Sequence, residues 1–567
     1  MDKNNQEQKA NTEENRVKTV QTMAGDLGVP ELVARILVAR GIESADDARV
    51  FLKPKLEDLS DPFLIPDMQK GVDRVITALT QKETICLYGD YDADGVTSLA
   101  LMINFLKHFD TSPVIHIPTR QDGYGLHINA INTFCEKGVT LLVSLDCGSS
   151  NIGEVRHASD CGIDTVIIDH HEMGNIAPPA HALINPKRKD SQFPTRDLAA
   201  CGVTFFFLLA LRRVLHTRGL LGKAMNLKKE LDIVTVGTVG DMVPLTGDNR
   251  IMVKHGMEMM NKHPRAWLKA MYNSRTITKG IVDEFTLGFI IVPRINAAGR
   301  VSEPEKSLNF LVSEDELGAA SYLMNLEDAN RHRQRIEEKI LREIVNDLKK
   351  DHIAERSSIV VFNEEWHVGV LGIVAQKLAE MFKKPSIVIT KLNDTWKGSG
   401  RGAAGMDLFE TITALSPLLL KYGGHRYACG ISLAEENLTR FAAAFEKSVK
   451  NDNVVDKKRE IICDSIAEFE ELTTELMEYI GQLSPFGIGN PRPNLSLSPA
   501  GIAPLKYGRV KITDRNKRTW YGYMQADQHV PRSDNLYCIV SPVLREEMGE
   551  RFINLNIKDI AETPFLQ

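Results

Sequence analysis

The sequence predicts a multidomain α/β fold: a parallel-sheet core, a second α/β unit reached through one long helix, and a strand-rich C-terminal domain. Three observations predict it. Between residues 21 and 325, apolar runs alternate with helical patterns such as Leu101 to Phe109 and Val203 to Leu215, as when crossover helices join parallel strands. Leu323 to Leu348 has no Pro or Gly and is dense in charge, which suits a connecting helix over 326–352. Beyond residue 453, short β runs separated by turn residues imply a small β domain.

The elements follow in order. Residues 1–20 are rich in Asn, Gln, Glu and Lys, so a disordered polar tail is expected there. Thr84 to Tyr88, Thr140 to Leu145, Asp164 to Ile168 and Leu231 to Val239 are apolar runs expected to be buried parallel strands. Residues 353–452 open on SSIVVFNEEWHVGVLGIVAQKLAE and form the second α/β unit. In 453–567, PFGIGNPRP at Pro485 to Pro493 reads as a loop, and short β runs continue to Phe552 to Ile557.

The chain has 567 residues, enough for several domains that each bury a core. No uninterrupted apolar run has membrane-spanning length, and the polar start lacks the apolar core of a signal peptide, so a cytoplasmic protein without membrane contact is expected. Eight cysteines are scattered with no CxxC pair and read as free thiols in a reducing compartment. A net charge of −6 is not that of a protein that coats nucleic acid uniformly. Locally the balance reverses. Lys506, Arg509, Lys511, Arg515, Lys517 and Arg518 face one acid, Asp514, with Tyr507, Trp520, Tyr521 and Tyr523 interleaved. Basic groups track phosphates and aromatic faces stack bases, which makes Lys511 and Trp520 candidate nucleic-acid contacts. The alternative is an edge strand guarded by charge.

The chemistry concentrates where the apolar runs end. The first ends in Asp90, Asp92 and Asp94, the second in Asp146, the third in Asp169, His170 and His171, the fourth in Gly240 and Asp241. One such Asp is more often a turn former or helix cap. Four together would gather at one edge of a parallel sheet, where uncompensated charge is costly unless a cation sits among it. Carboxylates with imidazole suit Mg²⁺ or Mn²⁺ rather than a thiolate-seeking metal. In the second unit, Gly398 to Gly402 (GSGRG) and Gly423 to His425 (GGH) flank Ser399, Arg401 and His425 with glycines, letting a backbone approach while these groups hold an anion.

The Asp169-His170-His171 motif, with the Asp90/Asp92/Asp94 cluster, Asp146 and Asp241, resembles the DHH phosphoesterase superfamily. IPTRQDGYGL at Ile117 to Leu126, GTVGDMVPL at Gly237 to Leu245, PRINAAGR at Pro293 to Arg300 and GGHRYACG at Gly423 to Gly430 narrow the resemblance to its bacterial single-strand-specific 5′→3′ DNA exonucleases. It runs from about residue 50 to the C-terminus, with the motifs in order. Gly240 and Cys429 stand where Ala is common in that family, and both changes are small. The resemblance implies a DHH catalytic domain over 21–325, a DHHA1 domain over 353–452 and an OB-fold β-barrel over 453–567.

By the same resemblance, Asp92, Asp94, Asp146, His170 and Asp241 are metal ligands for two divalent cations, with Asp146 bridging. Asp90 joins them either as a ligand or as a partner that orients one. His171 faces the scissile phosphate or the leaving oxygen, and Asp169 braces the histidines. Arg120, Arg294, Asn296, Arg300, Ser399, Arg401 and His425 face the nucleic acid or its terminal phosphate. The implied activity is degradation of single-stranded DNA from its 5′ end to mononucleotides in recombination and repair, after a helicase has opened an end and with a single-stranded-DNA-binding protein as a candidate partner. A DHH phosphoesterase for short oligonucleotides, cyclic dinucleotides or polyphosphate is the first alternative; a DNA-binding scaffold without catalysis is the second.

Overall fold

A computed structural model describes the chain except residues 1, 222–224, 351–355, 404, 452–460, 526–527, 532, 534, 548 and 566–567. The expected domain boundaries at 352/353 and 452/453 fall outside the described residues. The chain divides into two compact units, one of Ser60–Arg459 and one that joins Met1–Leu59 to Glu460–Gln567.

Within residues 60–459, the first sheet is parallel throughout. Its strands are β1 (Ile85–Gly89), β2 (Val114–His116), β3 (Leu141–Leu145), β4 (Asp164–Ile168) and β5 (Ala182–Ile184), in the order β2-β1-β3-β4-β5. Every residue of β1 and β3 is buried, which is why they read as unbroken apolar runs. The helices Ala93–Leu106 and Ala200–Thr217 pack together beside this sheet. The second has the length and composition of a membrane span, the one such helix among the described residues, but is a core helix whose Phe205, Phe206 and Phe207 are buried.

Leu231 to Val239 corrects one expectation. It is not a strand but the helix Leu231–Gly240, buried on nearly every face. A helix enclosed by other helices is apolar all round, so its sequence carries no amphipathic period to separate it from a buried strand.

The long helix Glu316–Lys350 connects the two sheets of this unit. Its Ile340, Ile344 and Leu348 enter the same apolar cluster as Val370, Leu371 and Val374. The second sheet comprises β6 (Ile359–Phe362), β7 (Ser386–Leu392), β8 (Thr395–Arg401), β9 (Lys421–His425) and β10 (Ala428–Leu433), in the order β6-β7-β8-β10-β9. The glycine-rich GSGRG and GGH segments therefore lie largely in strands, with β10 paired between them.

In the other unit, β11 (Ser465–Ile466), β12 (Leu495–Leu497), β13 (Gly501–Pro504), β14 (Arg509–Thr513), β15 (Thr519–Tyr523), β16 (Tyr537–Glu547) and β17 (Glu550–Ala561) form a seven-stranded sheet, consistent with an OB-fold. Two N-terminal expectations are corrected here. The polar tail is helical, Asp2–Leu27, because a stretch without Pro, and without Gly before Gly25 in its last turn, that carries Glu, Lys and Gln allows helix although its composition is that of disorder. Residues 21–59 belong with the C-terminal sheet rather than with the catalytic domain. Val20, Met23, Leu32 and Ile36 share an apolar cluster with Phe469, Leu476 and Ile480. Arg40 pairs with Asp464 at 2.8 Å and donates to the Pro491 carbonyl at 2.8 Å, and Arg35 pairs with Glu471.

Candidate active site

Strands β1, β3 and β4 end level with one another: Gly89 is paired with Leu145, and Leu145 with Ile168. The next residues are Asp90, Asp146 and Asp169, so the sheet register alone brings three carboxyls to one edge. Asp146 donates its amide to the Ile168 carbonyl at 3.0 Å and takes a φ of +65°, a left-handed conformation uncommon for a residue with a side chain. Asp92 caps the helix Ala93–Leu106, its Oδ1 accepting from the amides of Asp94 at 2.9 Å and Gly95 at 3.2 Å. Gly95 is required by a close approach, since a Cβ there would lie 2.5 Å from the amide N and the O of Asp90. Asp94 accepts from the amides of Ala200 (2.6 Å) and Cys201 (2.8 Å) at the start of another helix. Asp241 stands at the C-terminal end of Leu231–Gly240, its amide bonded to the Gly237 carbonyl at 2.8 Å.

These elements converge on His170. Its Nε2 lies 3.4 Å from Asp146 Oδ1 and 3.8 Å from Asp94 Oδ2, and its Nδ1 lies 3.6 Å from Asp241 Oδ2. Three overlapping groups each bring their ligand atoms within 4.8 Å of one another: Asp94 with His170 and Asp241, Asp90 with Asp92 and Asp146, and Asp146 with Asp169, His170 and His171. Asp90 Oδ1, Asp146 Oδ1 and His170 Nε2 are buried yet have no hydrogen-bond partner. Orphaned buried acceptors are costly, and hard-ligand atoms in this arrangement fit divalent cations.

The electrostatics agree. Burial, then the neighbouring Asp92, raises the Asp90 carboxyl to about 8 and that of Asp94 to about 6. Asp146 and Asp241 are raised well above the usual range by burial and then by Asp94. Burial and the adjacent His171 lower His170 to about 3, leaving a neutral imidazole able to ligate.

His171 is set apart from this group. Its Nδ1 is 2.8 Å from Asp169 Oδ1 and 2.9 Å from the Tyr124 hydroxyl. Burial pulls its pKa down, but the Asp169 hydrogen bond and charge outweigh burial and raise it to about 9. Asp169 resists burial because it accepts from His171 Nδ1 and from the amides of Ser149, His170 and His171, and its pKa is lowered. Asn185 locks the same loop, donating to Ser149 Oγ at 3.0 Å and to the His171 carbonyl at 2.9 Å. Neither Tyr124 nor Asn185 stood out in the sequence; the DGYGL segment after Arg120 was the one signal for Tyr124.

A cationic cluster includes most of the expected phosphate contacts. Arg120 lies over the Tyr91 ring at 4.3 Å, with its buried Nε unpartnered. Arg300 donates to the Gly369 carbonyl at 3.1 Å, and burial, then Arg120, Arg333 and Arg401, lower it to about 9. Arg401 donates to Ser399 Oγ at 3.3 Å, and His425 is lowered by burial and then by Arg401. Arg333 is paired with Glu337 at 2.7 Å, but Arg120, Arg300 and Arg401 crowd together with no ion pair of their own among the described residues, which leaves an anion's place. Asn296 Oδ1 accepts from the Ala93 amide at 2.8 Å, so it braces the Asp92 turn.

Two expected contacts are placed otherwise. Arg294 directs its guanidinium to Glu327 at 2.8 Å and the Ile290 carbonyl at 2.7 Å, which makes it a brace rather than an open cation. Trp520 is half-buried, packs against Phe469 and donates to Asp514 Oδ2 at 3.2 Å, a core role in its own unit. Alternation along β15 explains this, because it turns Tyr521 and Tyr523 outward beside Lys511 and Arg509 instead.

A sheet edge that gathers these carboxyls around an Asp-His-His motif, with a cationic cluster alongside, defines a metal-dependent phosphoesterase of the DHH class. The family model "DHH family, N-terminal domain" matches residues 84–238, and "DHHA1 domain" matches 355–451. The chain is 32% identical over 511 residues to the single-stranded-DNA-specific exonuclease RecJ of Bacillus subtilis (strain 168), spanning 88% of this chain and 63% of that protein. It is 32% identical over 486 residues to the RecJ of Escherichia coli (strain K12), spanning 82% of this chain and 83% of that one. The crystal structure of RecJ with Mn²⁺ from Thermus thermophilus matches with a TM-score of 0.82 at 26% identity, over 97% of this chain and 78% of that one. The chain belongs to the RecJ family of single-stranded-DNA-specific exonucleases.

Proposed function

We propose that this chain releases mononucleotides from the 5′ end of single-stranded DNA by metal-dependent phosphodiester hydrolysis. The observation that carries the reading is the set of unpartnered buried ligand atoms, Asp90 Oδ1, Asp146 Oδ1 and His170 Nε2, at the strand ends. When bound there, two divalent cations, Mn²⁺ or Mg²⁺, would supply an activated water, charge neutralisation at the phosphoryl oxygens and support for the departing alkoxide. Asp90, Asp92, Asp94, Asp146, His170 and Asp241 would hold them, with Asp146 common to two of the ligand groups. The free Oδ1 of Asp90 favours direct ligation over an orienting role.

His171 keeps its proton because Asp169 engages Nδ1, and its Nε2–H is free to donate to a phosphoryl or leaving oxygen. Arg120, Arg300, Ser399, Arg401 and His425 take the terminal 5′ phosphate. The exposed Lys511 and Tyr521 surface supports a long substrate, for which a small-molecule phosphoesterase has no use. In a cell this activity belongs to recombination and repair in the cytoplasm, on strands opened by a helicase and covered by a single-stranded-DNA-binding protein.

The test is digestion of a single strand with distinct 5′ and 3′ labels, beside a matched duplex and a dinucleotide. Early release of the 5′ label from the single strand supports the proposal; cleavage of the dinucleotide alone moves the protein to the small-substrate branch.

A further inference from the structure

Phe285 and Phe289 are 60% and 71% exposed, yet their rings stack on one another with centroids 5.0 Å apart and planes 23° apart. Contiguous exposed apolar surface, unlike apolar residues scattered singly, marks interaction sites. Phe285 caps and Phe289 lies within a π-helical segment, Thr286–Ile291, that runs without a break into the helix Val292–Val301. Single π turns within helices are frequent at functional sites.

The position of the pair on this helix says what it meets. Thr286, Leu287, Ile291, Val292, Ile295 and Ala298 form the buried face. Phe285, Phe289, Pro293, Asn296 and Arg300 follow at spacings of four, four, three and four along the other face, where the two rings are exposed and Pro293, Asn296 and Arg300 are partly covered. On that face Asn296 holds the Asp92 turn of the metal centre, and Arg300 belongs to the cationic cluster. Gly240, next to the ligand Asp241, packs against Val292 of the same helix. One helix face thus presents, in order, the anion cluster, the ligand turn and, about 10 Å further at the usual rise per residue, the stacked rings.

We infer that Phe285 and Phe289 form a base-stacking platform for the substrate strand on the 3′ side of the scissile phosphate. The inference rests on the exonuclease reading above: with the 5′ phosphate at Arg300 and the cut at the metal centre, the uncut strand continues along this face toward the rings. Every base offers a π-face, so the platform is indifferent to sequence. The nearest cation on the helix, Arg294, is neutralised by Glu327, so the grip comes from stacking and not from charge.

The test measures binding of fluorescent oligo(dT) of four and twelve nucleotides, in chelator to prevent cleavage, over a series of salt concentrations. The Phe285→Ala/Phe289→Ala protein is expected to bind the twelve-mer about ten-fold more weakly than the wild type, with an unchanged slope of log affinity against log salt. Phe285→Leu/Phe289→Leu should lose as much, and Phe285→Trp/Phe289→Trp should retain wild-type affinity, because rings rather than apolar bulk make the contact. Wild-type affinity in the alanine protein, full affinity in the leucine protein, or a loss accompanied by a flatter salt slope would each overturn the inference and leave the rings to an apolar protein partner. If the wild type itself neither binds nor digests the strand, the exonuclease reading fails instead.

Discussion

His171 Nδ1 lies 2.8 Å from Asp169 Oδ1, and this hydrogen bond divides the labour of two adjacent histidines. His170, without such a partner, is lowered to about 3 and is a neutral ligand; His171, with it, is raised to about 9 and carries a proton.

Replacing Asp169 with Asn should therefore strike His171 more than the metal ligands. An amide cannot accept from both the Ser149 amide and His171 Nδ1, so the imidazolium loses its support. A fall in kcat of about 10²-fold is expected, the lower range for a lost general acid. In the wild type the protonated form is held until pH rises through about 9, so the alkaline limb of kcat sits there; in the variant it should move to lower pH. A pH–rate profile of both proteins checks this.

Metal binding should be proton-linked. In the metal-free chain the carboxyls of Asp90 and Asp94 are raised to about 8 and about 6, so below those values the folded state holds protons that the unfolded state has released. Stability of the metal-free protein therefore falls as pH rises from the ordinary carboxylate range toward about 8. A cation replaces those protons, so Mn²⁺ affinity should rise with pH over the same window and Mn²⁺ should raise Tm more at about pH 8 than at about pH 6. Thermal melts with Mn²⁺ and with chelator at both pH values measure it.

Gly95→Ala should damage the centre without touching a ligand. Its new Cβ would press on the Asp90 backbone at 2.5 Å, and backbone on both sides leaves no flexible end to yield. A loss of about 1–3 kcal/mol, typical of overpacking, is expected with weakened metal binding, read by denaturant unfolding and by calorimetric titration of Mn²⁺.

The C-terminal surface separates two kinds of residue. Lys511→Ala, on an exposed strand face, should weaken single-strand binding and reduce the salt slope by about one, the signature of one lost phosphate contact. Trp520→Ala, which removes packing on Phe469 and the bond to Asp514, should instead lower the Tm. Binding isotherms across salt, alongside melts, distinguish the two.

Much of the centre was legible because strand ends in a parallel sheet must deliver their next residues to one edge. Asp90, Asp146 and Asp169 follow from that rule and from unbroken apolar runs. Asp241 was found by the same pattern although its carrier is a helix, since a fully enclosed helix and a buried strand share one composition. What the sequence hid was partnership across distance. Nothing local to Arg40 announces Asp464, so the sequence alone does not place the N-terminal helices with the C-terminal sheet. Nothing local to Arg294 or Trp520 announces Glu327 or Asp514, so the sequence offers both as contacts for DNA while the fold engages them as braces.

The most direct test of the central claim is release of 5′-labelled mononucleotide from single-stranded DNA by the wild type and by Asp146→Asn, each with Mn²⁺. Asp146 is buried, unpartnered at Oδ1 and common to two of the ligand groups, so the account predicts rapid 5′ release by the wild type and its near-complete loss in a variant that still binds the strand. Undiminished release by Asp146→Asn would contradict it.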